Sequence, residues 1–404
     1  MKSVLILSCN GLNRAPRVLK EINALKNKYQ ITFAGKLDTE AFDGCKLIPL
    51  KFSNPRYNKV INFHHKYPYY IKKFISFLIW IYLKITFHKF RTFESYSLDD
   101  YELLMKNNYD IIIIHYPELI KLGFKLKNKN TKIIFSAHEY YPEEFNNESF
   151  IRYTKPYYEY LCKKYLPKVD LIFSPSQSIS DLYKKKYNKK SVVMFNTCEF
   201  KNLYPSPISE PPIKIIHHGI CIPQRDTEFL LKVAYILGEK YELNLMLIDN
   251  HKEYFSHIVD KASLIKNVKI LPPQPYNDLI SFINQFDIFL IHLPPENLNH
   301  KFCLPNKLFE AIQARLCLVS TPLKDVADFI LKHNIGKVSE YFTPESIAKV
   351  ISGLSVEDIL TYKKNSDYWS KIFCSENTQK YISECMDAVL TGNKLPSGIH
   401  YLQS

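Results

Sequence analysis

The chain has 404 residues, with 54 lysines and arginines against 40 aspartates and glutamates, a formal net charge of +14. That length lies past the roughly 250–300 residues at which a single hydrophobic core stops growing, so a miniprotein is excluded and two domains are the default. Hydrophobic residues at 46%, with 29 Tyr and 26 Phe, exclude a disordered chain, and only 10 glycines, about a third of the usual share, exclude collagen and repeated Gly-rich phosphate loops.

The opening stretch MKSVLILSCNGLNRAPRV has too short an apolar part and no small-residue cleavage site for a signal peptide, and reads as a first strand. Further strands are expected at residues 30–34, 110–115, 132–136, 170–174 and 191–195, all short Ile, Val, Leu and Phe runs bounded by polar residues. Helix-length segments such as 15–26 and 178–187 lie between them. This alternation predicts a doubly wound parallel sheet.

Residues 70–91, YIKKFISFLIWIYLKITFHKFR, break the pattern. Their unbroken apolar core is far short of the roughly 20 residues that span a bilayer. Lys72, Lys73, Lys84 and Lys89 with Trp80 on a broad apolar surface suit a helix lying on an anionic membrane; the plainer alternative is a core helix with snorkelling lysines.

The Pro-rich segment 201–212, KNLYPSPISEPP, is the best linker. After it the pattern restarts, with strands expected at 214–218, 243–248, 268–271, 287–292 and 316–320 and helices near 226–237, 276–284 and 306–314. The expected organisation is an N-terminal Rossmann-like domain over 1–200, the linker 201–212, a C-terminal Rossmann-like domain over 213–375 and a helical tail, 376–404, that packs back on the first domain. Nine cysteines without a C-x-x-C point to neither a disulfide framework nor a zinc site, which fits a reduced cytoplasmic compartment.

The positive charge favours an anionic partner: nucleotide-activated substrate, anionic lipid or nucleic acid. No Walker motif, G-x-G-x-x-G, H-E-x-x-H or D-x-D pair occurs, so ATPase, dinucleotide oxidoreductase and zinc hydrolase readings lose support and no metal is expected. In the 292–322 stretch, Pro305-Asn306 opens a helix whose free N–H groups can hold an anion, Lys307 adds a charge in its first turn, and Glu310 follows one turn on, able to accept from ribose hydroxyls. Taken alone this is an ordinary surface helix. Upstream, residues 215–237 read as a strand, a loop with the single glycine Gly219, then Arg225 before a helix; an arginine there can clamp a diphosphate bidentately.

The order strand, Gly loop, Arg, helix, then strand, loop, Pro-Asn-Lys-x-x-Glu, helix, strand resembles the donor-binding domain of GT-B glycosyltransferases, closest to retaining family four and its relatives in bacterial polysaccharide synthesis. The first half is similar too, in NRAPRVLKE (13–21), SAHEYYPEEF (136–145), SPSQSISDLY (174–183) and Phe195-Asn196. The resemblance implies a GT-B fold, Arg225, Lys307 and Asn306 on the donor phosphates, Gly219 close by and Glu310 on the ribose. It also implies Asn10, Gly11, Arg14 and Arg17 toward donor and acceptor, and His138, followed by Glu139, beside the reacting sugar. The family often has a second glutamate eight positions before Glu310; here Phe302 stands there, and Asp249-Asn250 replace common glycines.

The function expected from this resemblance is transfer from a nucleotide-diphosphate sugar to a glycan or lipid-linked acceptor, with no metal or other cofactor, on the inner face of the plasma membrane. The family implies retention, in which the leaving phosphate helps deprotonate the acceptor. An inverting route needs an opposed base, for which His138 or Glu139 are candidates. A nucleotide-sugar epimerase and a non-catalytic partner on the same fold are the alternatives. Nucleic-acid binding has only the charge in its favour and is not expected.

Overall fold

Four consecutive isoleucines, Ile111–Ile114, have no exposed surface, as befits a strand covered on both faces. The computed structural model describes residues 1–50, 98–148, 150–189, 191–208 and 210–398. In it these isoleucines form β4, paired in parallel with β1 (Ser3–Leu7) and β5 (Lys132–Ser136). With β2 (Gln30–Gly35), β3 (Cys45–Pro49), β6 (Leu171–Ser174) and β7 (Ser191–Val193), they make a parallel sheet in the order β3-β2-β1-β4-β5-β6-β7. The chain winds outward from β1 and then reverses to β4, so the switch point lies between those two strands.

A second parallel sheet has the order β10-β9-β8-β11-β12-β13. Its strands are β8 (Ile213–Cys221), β9 (Tyr241–Asp249), β10 (Val268–Leu271), β11 (Ile288–Ile291), β12 (Cys317–Ser320) and β13 (Gly336–Val338). The reversal falls between β8 and β11. Two doubly wound parallel α/β sheets are the architecture expected from the sequence.

β3 and β13 were not among the expected strands, and both are sheet edges. An edge strand is covered less, so CKLIP and GKV lack the continuous apolar run that betrays a central strand. Two helices follow the second sheet, Val356–Ser370, started by a Ser355–Asp358 capping box, and Ser375–Thr391.

The chain divides into two units. Met1–Pro175, Ile179–Met194 and Gln379–Gly398 form one; Ser176–Ser178 and Phe195–Thr378 belong to the other. The change therefore comes at Phe195, and Lys201–Pro212 lies inside the second unit. There the Lys201 N–H donates to Gln313 Oε1 at 3.1 Å and its carbonyl accepts from Arg315 at 2.6 Å, while Ser206 Oγ accepts from Lys363 Nζ at 2.8 Å. These bonds hold the Pro-rich segment to the second unit's helices. The basic, apolar segment 70–91, with Lys72, Lys73, Trp80, Lys84 and Lys89, lies outside the described residues. Among the described residues no helix is long and apolar enough to cross a membrane.

The Pro16–Leu25 helix begins with proline at its first position, where the missing N–H costs nothing. It buries Arg17, Val18, Glu21, Ile22 and Leu25. Three of these form an ordinary apolar stripe, whereas Arg17 and Glu21 carry charge into the same buried face. Buried charges are costly unless paired and hydrogen-bonded, and their partners lie at the carboxyl ends of β4, β5 and β7.

Candidate active site

In the second unit, β8 and β11 are paired neighbours at the sheet reversal, where α/β folds place ligands beyond the carboxyl ends of the strands. After β8 comes the turn Pro223–Arg225 and then the helix Thr227–Leu237, capped by Asp226. After β11 come the short helix Leu298–Lys301 and the helix Asn306–Gln313. Gly219 is not in a loop as expected: β9 pairs with β8 over its whole length and carries the strand through Gly219 to Cys221.

Lys307 Nζ donates to the main-chain oxygen of His218 at 2.7 Å. A Cβ on Gly219 would stand 2.9 Å from that nitrogen, so the glycine leaves room for the ammonium. Burial, then the charge of Arg225, pushes Lys307 down to about 8. Arg225 is half-buried, and its guanidinium has no hydrogen bond or ion pair among the described residues. Arg225 is near enough to disfavour the charge of Lys307, and its unpaired guanidinium beside that lysine forms an electropositive spot suited to an anion.

The groups around them keep that charge in place. Glu310 is buried, with Oε2 3.2 Å from His218 Nε2 at an angle outside hydrogen-bond geometry. Asn306 is exposed at the helix start and its Oδ1 accepts from Asn196 Nδ2 at 2.7 Å. His292 stacks on Phe229, ring centroids 3.8 Å apart, and is pushed down to about 3 by burial and then by Lys307. His217 donates from Nδ1 to the Leu290 carbonyl at 2.8 Å and is lowered by the same causes. Both imidazoles stay neutral, so the positive charge rests on Lys307 and Arg225. Phe302 closes the short helix before this site, and its carbonyl accepts from Ser176 Oγ at 2.5 Å.

The first unit brings another group together at its own switch point. Asn10, after β1, donates from Nδ2 to the Tyr116 hydroxyl, after β4. At Gly11 a Cβ would come 2.3 Å from Asp38 Oδ2, an approach only glycine allows. Arg14 belongs to the turn Leu12–Arg14; its side chain lies outside what is described. Arg17, expected toward the substrates, is 7% exposed and donates to the carbonyls of Ala137 at 2.5 Å and Met194 at 3.4 Å. Its place on the buried stripe of its helix makes it part of the wall.

His138, just past β5, is partly exposed, and its Nε2 lies 2.9 Å from His115 Nδ1. His115 Nε2 in turn lies 2.9 Å from Glu21 Oε2, and Glu21 Oε1 accepts from Ser136 Oγ at 2.8 Å. Glu21, His115 and Ser136 have no exposed surface. Burial, then the charges of Arg17 and His115, holds His138 well below the usual imidazole range, so it is neutral at physiological pH. Beside it, Glu139 and Glu144 share a hydrogen bond. Burial pushes both carboxyls up, and the charges of Glu139 and Glu118 add to the shift of Glu144. The pair retains a proton near neutrality.

Glu21, His115, His217, His218, His292 and Glu144 were not singled out from sequence. For Glu21 a signal exists: it falls at helical spacing on the stripe of Val18, Ile22 and Leu25, where a carboxylate has no packing reason to be. His115 directly follows the four isoleucines of β4, at a strand terminus.

Comparison with known proteins agrees with this fold. Residues 86–197 match the model of the family described as Glycosyltransferase Family 4. Sucrose-phosphate synthase from Thermosynechococcus elongatus is 14% identical with a TM-score of 0.69, over 97% of this chain and 100% of that one. Anabaena HepE, solved in complex with UDP, is 12% identical with a TM-score of 0.62, over 96% and 100%. WaaG, a glycosyltransferase involved in lipopolysaccharide biosynthesis, is 12% identical with a TM-score of 0.60, over 94% and 99%. A search of curated proteins found no match. At such identities the likeness to solved structures is one of fold. The two parallel-sheet units have the GT-B fold of these solved glycosyltransferases. Within that class, the stretch from residue 86 to 197 carries the Glycosyltransferase Family 4 pattern.

Proposed function

We propose that the protein moves a sugar from a nucleoside-diphosphate sugar to a glycan or lipid-linked acceptor in bacterial surface polysaccharide or glycolipid synthesis, with retention and without a metal. The observation that carries this reading is the unpaired Arg225 beside Lys307 at the switch point of the second sheet. HepE is in complex with UDP and WaaG acts in lipopolysaccharide biosynthesis, which supports a donor and a pathway of this kind.

Breaking the bond between the anomeric carbon and the phosphate oxygen leaves an oxocarbenium-like sugar and negative charge on the departing phosphate, the same electronic demand as in glycoside hydrolysis. Arg225, Lys307 and the N-terminus of the Asn306–Gln313 helix stabilise that charge, a task other enzymes give to a metal. Glu310 accepts from the ribose hydroxyls. The acceptor hydroxyl forms the new bond from the face the phosphate leaves, and the phosphate takes its proton. In the first unit, His138 and Asn10 are assigned to hydroxyls of the acceptor. The basic, apolar stretch 70–91 brings the enzyme to the cytoplasmic membrane face, where lipid-linked acceptors reside.

A thermal-shift panel of UDP, GDP, CMP, ADP and dTDP sugars tests the reading, because a ligand at a hundred times its Kd stabilises the folded state by about 2.7 kcal/mol. One nucleotide class is expected to raise Tm, followed by transfer to an acceptor with that donor. No stabilisation by any of them overturns the proposal.

A further inference from the structure

The helices Tyr276–Ile283 and Asn306–Gln313 are each eight residues long and come after β10 and β11. Each lies on a connection between parallel strands of the second sheet, so both run opposite to the strands and in the same direction as each other. They pack together, and their far ends are tied: Asn284, which closes the first, donates from Nδ2 at 2.9 Å to the carbonyl of Ala314, which closes the second. Helices of equal length joined at their last turns are level at their first. Tyr276 is therefore level with Asn306, at the start of the helix that carries Lys307 and Glu310. It is 65% exposed, a large ring at a first helical position with no stacking partner and no hydrogen bond at its hydroxyl among the described residues. That hydroxyl is pushed up to about 12 by partial burial and then by Cys198, Glu310 and Glu199, which places the ring within electrostatic reach of the Glu310 carboxylate.

We propose that the ring of Tyr276 is the platform on which the base of the donor nucleotide stacks. The assignment rests on the nucleotide-sugar reading and orders the ligand across the two helix starts, with phosphates at Arg225 and Lys307, ribose at Glu310 and base at Tyr276. Arg225, Lys307 and Glu310 are taken up by phosphates and ribose and leave the base without a surface. The base is bonded to the ribose at the opposite end from the phosphates, so it lies beyond Glu310 from them, and Tyr276 is an exposed aromatic ring in reach of that carboxylate. Stacking on an aromatic side chain favours any nucleobase, because every base has a π-face. A tyrosine suits a site open to water, since its face is apolar while its hydroxyl stays solvated. The platform thus supplies affinity without choosing among bases, and the choice of nucleotide falls to other groups.

Isothermal titration of the full chain compares two ligands: the nucleoside diphosphate that the thermal-shift panel selects, and ribose 5-diphosphate, which lacks only the base. Tyr276→Ala is expected to weaken the nucleoside diphosphate about ten-fold and to leave ribose 5-diphosphate within about two-fold of the wild type. Its Tm should stay within about 2 °C, because the side chain removed is mostly exposed. Tyr276→Phe, which keeps the ring and drops the hydroxyl, is expected to restore the affinity. Unchanged affinity in Tyr276→Ala, an equal loss for both ligands, or a Tyr276→Phe as weak as the alanine variant overturns the proposal. A panel in which no nucleotide binds removes the functional reading and the platform together. Nucleotide binding that depends on the ring, with no transfer to any acceptor, keeps the platform and loses the transferase reading.

Discussion

A Cβ placed on Gly219 would stand 2.9 Å from Lys307 Nζ, the atom that donates to the main-chain oxygen of His218. The strand residue and the helix residue are thus fitted to each other. The obstacle is the flexible end of a lysine, but Gly219 has φ +157°, a conformation strained for any side chain. Gly219→Ala is therefore expected to displace the ammonium and also to lower Tm, and its affinity is measured below that Tm. Affinity for the donor nucleotide should drop on the order of ten-fold, about 1.4 kcal/mol. Isothermal titration with UDP, or with whichever nucleotide the panel selects, measures it; wild-type affinity would mean that the lysine does not meet the phosphates.

The depressed pKa of Lys307 sets a pH dependence. Burial and Arg225 bring the free lysine to about 8, so below that pH it is charged and ready for a diphosphate. As pH rises through about 8 the free protein loses the charge, and binding must first restore a proton. Nucleotide affinity is expected to be level from pH 6.5 to 7.5 and to decline up to ten-fold per unit above 8, whereas Lys307→Arg should remain level to pH 9.5. Titrations at several pH values read this directly, and a level wild-type profile counts against it.

Arg225 is half-buried with no protein partner for its guanidinium among the described residues, so its removal breaks no hydrogen bond or ion pair. Arg225→Ala is therefore expected to leave Tm within about 2 °C and to weaken nucleotide binding by roughly 30- to 150-fold, the equivalent of a charge-assisted contact of about 2–3 kcal/mol. Transfer falls below detection in the same variant. Wild-type transfer rates with every donor would remove this residue from the phosphate site.

The Glu139–Glu144 pair makes stability fall as pH rises. Both carboxyls are raised in the folded protein, to about 7 and about 8, above their ordinary 4.5. The folded state binds more protons between those values, so the stability it draws from them is complete below about 4.5 and is lost as pH climbs through 7 to 8. Glu144→Gln removes the like charge and should flatten that part of the profile. Urea midpoints between pH 5 and 9 for both proteins supply the comparison; parallel profiles would show that the pair does not share a proton.

Membrane binding is predicted from residues 70–91 by sequence alone. Sedimentation with anionic liposomes is expected for the wild-type chain and should fall several-fold when Lys72, Lys73, Lys84 and Lys89 are replaced together, each lysine contributing about 1 kcal/mol near such a surface. No sedimentation at the outset, or none lost on replacement, rejects it.

Central strands were legible because burial on both faces demands a run of apolar residues, and Ile111–Ile114 or Ile288–Ile291 have no other reason to look as they do. Of the four edge strands, Cys45–Pro49 and Gly336–Val338 were not, since an edge is released from that demand and these two lack an apolar run, whereas Ser191–Val193 and Val268–Leu271 keep one. The local placement of Arg225 and Lys307 near helix starts was legible as well, whereas the loop expected around Gly219 is the last part of β8. Local sequence carries such features because a strand end and the helix start after it are neighbours in the chain.

By itself the sequence determined two parallel α/β sheets and an absence of glycine-rich and D-x-D phosphate motifs. Only the tertiary structure decided what the charged groups touch. Glu21 and His115 lie 94 residues apart and meet because the buried stripe of one helix is pressed against the end of β4, while His115 reaches His138 because β4 and β5 are paired. No local pattern encodes a hydrogen bond between residues that distant. The packing that brings them together is dictated by the apolar residues around them, and those would pack in much the same way around other side chains.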